Sequence, residues 1–144
     1  IVAENSDTIM GSREEYDLTE AITAPGRTDE ETAAYWLSKG NKIIIIKHGK
    51  EGSVAYLSDG SAYKVKPFPV KKIKSFGGGD GYGSSFIYGL LEGWDIIDCL
   101  ELGSASASLL INAHGCSLFM PSLSDLQSYI KDCKDKYGDM VARG

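Results

Sequence analysis

Four isoleucines stand in a row at Ile43–Ile46, bounded by Lys42 and Lys47. An unbroken β-branched run predicts a strand buried on both faces, the habit of a parallel α/β sheet. Two further runs, Ser53–Leu57 and Ala62–Lys66, flank Ser58-Asp59-Gly60-Ser61 and read as a hairpin with a Gly-containing turn. Thr8-Ile9-Met10 is a shorter strand candidate ending at Gly11-Ser12, and residues 1–6 fit the tail of a helix. Ser12 with Glu15 forms a capping box, so a helix opens near Arg13. After a loop at Thr23–Arg27, Thr28 can cap a second helix whose first turn holds Asp29, Glu30 and Glu31. Its apolar side is Ala33, Ala34, Trp36 and Leu37, and Gly40 stops it.

Pro67-Phe68-Pro69-Val70 cannot continue a ladder and redirects the chain. The apolar spacing then predicts a helix from about Gly81 to Leu91, with Phe86, Ile87, Leu90 and Leu91 on or near one face. A second, capped by Asp95, carries Ile96, Ile97, Leu100 and Leu102 and runs through Gly103-Ser104-Ala105-Ser106-Ala107-Ser108. Such small residues permit close helix approach, or equally let a flat ligand lie against the helix. A last helix, capped by Ser122 or Ser124, ends near Tyr137-Gly138. The order is strand, helices, buried strand, hairpin, then three terminal helices: α/β with a mixed sheet rather than a regular βαβ repeat.

The 144 residues are enough for one domain with a real core. A net charge of -5 argues against a general nucleic-acid partner. Lys64, Lys66, Lys71, Lys72 and Lys74 nevertheless make a local basic patch, either a solvated strand face or an attraction for a phosphate-bearing ligand. Cys99, Cys116 and Cys133 are odd in number and form no CxxC, which points to a reducing, cytoplasmic setting. Two histidines argue against a histidine-built zinc site, and no run reaches the ~20 apolar residues of a membrane span. The first residues, Ile-Val-Ala-Glu, lack an initiator methionine, so a trimmed product or a piece of something longer is expected.

The densest punctuation is Lys74-Ser75-Phe76-Gly77-Gly78-Gly79-Asp80-Gly81-Tyr82-Gly83. Glycines ahead of a helix strip side chains from free N–H groups, so a phosphate can touch the peptide bonds. A carboxylate there would repel phosphate, so Asp80 needs another purpose: orienting or deprotonating a hydroxyl for in-line attack. The alternative is an N-cap beside a tight turn, and the residues alone weigh the two evenly. The run is neither a Walker A loop nor the dinucleotide fingerprint.

This stretch resembles the C-terminal D-T-x-G-A-G-D signature of the ribokinase-like (PfkB) sugar kinases. The resemblance implies a ribokinase-like three-layer sandwich, of which this chain is the C-terminal, nucleotide-binding portion. It makes Asp80 the catalytic base and the amides of Gly77, Gly78 and Gly79 the anion hole. Ile43–Gly52 looks like the family's buried strand and its turn near the ATP phosphates, which puts Lys47, Gly49 and Gly52 beside the nucleotide; Lys47 could equally face solvent. Gly11-Ser12-Arg13-Glu14-Glu15 is similar to the N-x-x-E segment, so Glu15 would organise Mg2+ through water. Gly103–Pro121 looks like the wall of the adenine pocket, with Asn112, Ala113, Gly115 and Cys116 near the base; His114 joins them or is a core or surface histidine.

ATP and Mg2+ are the implied cofactors, with K+ an optional third, and the implied substrate is a small sugar or sugar acid. Lys74 replaces the usual aspartate, which fits a sugar-acid kinase branch; Gly78 replaces alanine and Ser12 replaces asparagine. Family members have roughly twice this length, and the missing N-terminal half supplies most sugar contacts. Burial of Ile43–Ile46 is therefore expected to need that half, a partner chain or a homodimer. By itself the chain is then a kinase portion, a nucleotide- or phosphate-binding module without catalysis, or an assembly domain.

Overall fold

The structure, a computed structural model, describes residues 2–70, 77–113 and 120–144. It divides into two compact units, Ile1–Lys64 with Arg143–Gly144, and Val65–Ala142.

In the first unit a 3-10 turn at Ala3–Asn5 takes the place of the expected helix tail. It leads to strand β1, Thr8–Ser12, then helices α1, Arg13–Glu20, and α2, Asp29–Ser38. Both helices open on the expected devices. Ser12 and Thr28 each accept an N–H from the third helical residue, and Glu15 and Glu31 each reach back to the cap. Strand β2, Ile43–Lys47, lies parallel to β1 with Ile9 opposite Ile44, and antiparallel to β3, Ser53–Leu57, with Ile45 opposite Ala55.

Ile44, Ile45 and Ile46 are each 0% exposed, so their burial is completed within the chain itself. The expectation that it needs a missing half or a second copy is corrected: β1 and β3 already satisfy both edges of β2. Ile44 and Ile46 pack with Tyr16 and Ala33, and Trp36 and Leu37 cover them. Ala34 is exposed, and Thr32 takes its place on the buried side of α2. The Tyr16 hydroxyl donates to the Ile45 carbonyl at 3.2 Å, tying α1 to the central strand.

The hairpin continues to strand β4, Ala62–Val65. Its turn is closed by Leu57 N–H to the Ser61 carbonyl and by Ser61 N–H to the Asp59 carboxylate. A fifth strand absent from the sequence reading, β5 at Val141–Arg143, completes a sheet of order β1-β2-β3-β4-β5. Three residues carry too little pattern to mark a strand; the ladder appears only once the Gly144 N–H meets the Ala62 carbonyl at 2.8 Å.

The second unit holds α3, Gly78–Leu91, α4, Ile96–Ile111, and α5, Leu123–Tyr137. Asp95 and Ser122 are the caps of α4 and α5. Helix α3 begins three residues before the expected Gly81, and of the expected apolar residues only Phe86 is buried. Ile87 is 48% and Leu91 82% exposed, whereas Gly81, Tyr82, Phe86 and Gly89 are buried. The reason is antiparallel packing on α4 at backbone range. A Cβ on Gly89 would sit 2.8 Å from Cys99 Sγ, and one on Gly103 would sit 3.1 Å from the Tyr82 carbonyl oxygen. Glycine therefore marks the interface, and the bulkier residues beside it face outward.

Phe68, from the Pro-rich bend, is 2% exposed in a core with Leu102, Ala105, Leu126, Cys133 and Met140. Cys99 and Cys133 are buried free thiols, while Cys116 lies outside the described residues. Among the described residues no helix is long and apolar enough to cross a membrane.

Candidate active site

Gly77 adopts φ 85°, in the left-handed region that costs a side-chain-bearing residue about 1–2 kcal/mol. It is the N-cap of α3 and contributes no side-chain cap. The first intrahelical bond runs from Gly81 N–H to the Gly77 carbonyl at 3.0 Å. The N–H groups of Gly78, Gly79 and Asp80 precede it and have no acceptor within the helix. They point along the positive end of the helix dipole, the geometry of an anion site. Gly79 and Asp80 are exposed there, and Gly78 is half-buried. Asp80 is not the cap, because Gly77 holds that position; its carboxylate stands in the first turn, on the third helical residue.

Packing sets where this turn sits within its unit. A Cβ on Gly78 would come within 2.9 Å of Ile111 Cγ2 and 3.5 Å of the Ala107 carbonyl oxygen. The start of α3 thus lies beside the last turn of α4, which Asn112 caps and Ala113 follows. Gly77, Gly78, Gly79, Asp80, Asn112 and Ala113 accordingly gather at one end of the helix pair. His114, Gly115, Cys116 and the lysines at 71, 72 and 74 lie outside the described residues. The small residues Gly103–Ser106 and Ser108 are buried, so α4 uses them for close helix approach, while Ala107 is half-buried.

The remaining predicted residues gather in the first unit. Lys47 ends β2 opposite Ser12 of β1. Gly49 and Gly52 have φ 57° and 98°, and they bracket a 3-10 turn at Gly49–Glu51. Nothing stands within 4 Å of a Cβ on Gly49, so conformation rather than space requires glycine there. Glu15 Oε2 accepts the Ser12 N–H at 2.6 Å. That bond, aided by the Lys47 ammonium, holds the Glu15 carboxyl below its usual range, against a smaller opposing effect of desolvation. One carboxylate oxygen is therefore committed to the cap. Among the described residues no group of three His, Cys, Asp or Glu could hold a metal unaided. The donor set fits a magnesium ion that arrives on a nucleotide and meets Glu15 through water, and does not fit a dedicated protein cage.

A charged cluster escaped the sequence reading. Arg13 reaches Asp17, Glu20, Asp29 and Thr32, and His48 Nε2 lies 2.6 Å from Asp29 Oδ2. Sequence spacing showed Asp29 only as a first-turn carboxylate; its partners come from α1 and from the end of β2, at separations of 16 and 19 residues.

This architecture is the ribokinase-like α/β fold. A ribokinase II from E. coli solved with ATP and Mg2+ superposes with TM-score 0.81 at 27% identity, covering 91% of this chain and 41% of that one. Thermotoga maritima ribokinase gives TM-score 0.82 at 21% identity over 90% of this chain and 44% of its own. The pfkB family carbohydrate kinase model matches residues 2–123, and the chain belongs to that family. Similar relatives are the 5-dehydro-2-deoxygluconokinase of Clostridium perfringens, 61% identical over 143 residues, and that of Geobacillus kaustophilus, 43% identical over 131. They align with 99% and 91% of this chain, which spans 42% and 39% of their lengths.

Proposed function

We propose that this chain is the nucleotide-side portion of a kinase that transfers phosphate from ATP to a hydroxyl of a small sugar acid, 5-dehydro-2-deoxy-D-gluconate. The observation that carries the proposal is the left-handed Gly77, which starts α3 so that its first N–H groups have no acceptor within the helix and stand next to the Asp80 carboxylate. The similarity to 5-dehydro-2-deoxygluconokinases supports the choice of substrate. Asp80 accepts the proton of the attacking hydroxyl. The amides from Gly77 to Gly79, continued by that of Asp80, hold the transferring phosphoryl oxygens without reorganising. Glu15 orients water, Lys47 offers a positive charge, and the turn Gly49–Gly52 admits the phosphate chain; Asn112 and Ala113 line the base. Bound Mg–ATP supplies the phosphoryl group and neutralises its developing charge.

Asp80→Asn tests the assignment in the protein at its natural length. Loss of a positioned general base costs about a hundredfold or more in turnover, with ATP affinity unchanged. Turnover that survives removes Asp80 from the chemistry. Because the chain spans 42% of its relatives, a second reading applies to these 144 residues alone: ATP binding without transfer. Titration calorimetry with ATP, and with inorganic phosphate alone, separates a nucleotide site from a bare anion site.

A further inference from the structure

Asp29 stands on the first turn of α2, outside every residue assigned to the site above, and only 19% of its side chain is exposed. Its two oxygens face different segments. Oδ1 accepts from Arg13 Nη1 at 3.3 Å, and Oδ2 accepts from His48 Nε2 at 2.6 Å. Arg13 is the first residue of α1, directly after the Ser12 cap that grips Glu15. It is itself fixed by Glu20 at 3.0 Å, Thr32 at 3.0 Å and Asp17 at 2.9 Å. His48 is the residue before Gly49. Its backbone closes the following turn from both sides: its N–H donates to the Gly52 carbonyl at 2.8 Å, and its carbonyl accepts from Glu51 N–H at 3.1 Å.

We infer that Asp29 is a positioning residue, a clamp that fixes the Glu15 cap and the Gly49–Gly52 turn to each other through Arg13 and His48. Charge-assisted bonds are shorter and stronger than neutral ones, and a carboxylate held from both sides has little freedom to turn. Gly49 and Gly52 give the turn a backbone that many conformations would suit, so glycine alone cannot hold it in one of them. The clamp supplies the missing restraint and delivers the Lys47–Gly52 backbone in a single arrangement. This role rests on the kinase reading, under which that turn receives the nucleotide phosphates. A misplaced outer support at such a site typically costs tenfold to a hundredfold, without itself touching ligand.

The test compares Asp29→Asn and His48→Ala with the unaltered protein at its natural length. Glu101→Gln, which removes the charge of buried Glu101 opposite Lys134 at 2.7 Å in the other unit, controls for destabilisation alone. Hydrogen exchange of the Glu51 and Gly52 amides is followed beside kinetics. The clamp predicts exchange there about tenfold faster in both variants, and a KM for ATP raised about tenfold with the KM for the sugar acid unchanged; Glu101→Gln shows neither change. Unaltered exchange in both variants, or an unaltered KM for ATP, overturns the inference. If the unaltered protein transfers no phosphate, the kinase reading falls, and the exchange result still decides whether the clamp exists. His48→Ala removes one arm only and keeps the test decisive should Asp29→Asn fail to fold.

Discussion

Gly103→Ala separates two uses of a small residue on α4. An alanine Cβ there would lie 3.1 Å from the Tyr82 carbonyl oxygen and 3.2 Å from both Cδ1 and Cε1 of its ring. Tyr82 is 4% exposed on α3, so its ring has no solvent to swing into, and its carbonyl belongs to the helix backbone. Relief requires α3 and α4 to part by a few tenths of an ångström. Parting would also loosen the approaches of Gly81 to Ser106 and of Gly89 to Cys99. Overpacking of this kind costs about 1–3 kcal/mol. Alanine in a helix interior returns about 1 kcal/mol of propensity. With one backbone contact and two ring contacts to relieve, the cost falls in the upper part of its range, for a net loss of about 2 kcal/mol. That lowers Tm by roughly 4–8 °C for a chain of this size. Urea unfolding followed by far-UV circular dichroism gives the free energy, and thermal melting gives the shift. A variant as stable as the parent, or more so, would refute the view that glycine is present for helix approach.

Alkaline stability follows from the buried acids. Burial pushes the Cys99 thiol up to about 11 and the Tyr56 phenol up to about 12, and raises Tyr16 and Tyr129 as well. A group whose pKa is raised on folding stabilises below its unfolded pKa, and that stability is lost as pH climbs through the folded value. The urea midpoint should therefore fall from pH 9 upward, and Cys99→Ala should flatten the first part of that fall; a midpoint independent of pH up to 11 would contradict the burial. Ser122→Ala removes the acceptor for the Asp125 N–H at 3.2 Å and should lower stability by about 1 kcal/mol, read from the same urea curves, while Ser124→Ala, which leaves that bond in place, should cost less.

Local chemistry was legible in the chain itself. Ser12 with Glu15 and Thr28 with Glu31 open their helices where the capping pattern puts them, because a cap needs only four consecutive residues. The hairpin about Asp59-Gly60 and the buried run at Ile44–Ile46 were equally plain, and the glycine turn with Asp80 pointed to the family through one contiguous stretch. What escaped involves partners distant in sequence. The start of α3 at Gly78 and its glycine-lined buried face depend on α4, whose backbone approaches too closely for the bulkier Ile87 and Leu91 to turn inward. Strand β5 exists because a neighbouring edge offers carbonyls to a three-residue segment with no pattern of its own.

The site divides the same way. Sequence by itself determined which residue types could meet a phosphate, because glycine conformation and a free helix start are local properties. Only the tertiary structure decided that Gly77 rather than Asp80 is the cap and that Asp29 joins Arg13 to His48. Hydrogen bonds and ion pairs act over a few ångströms, and chain separation carries no record of which distant groups folding brings within that range.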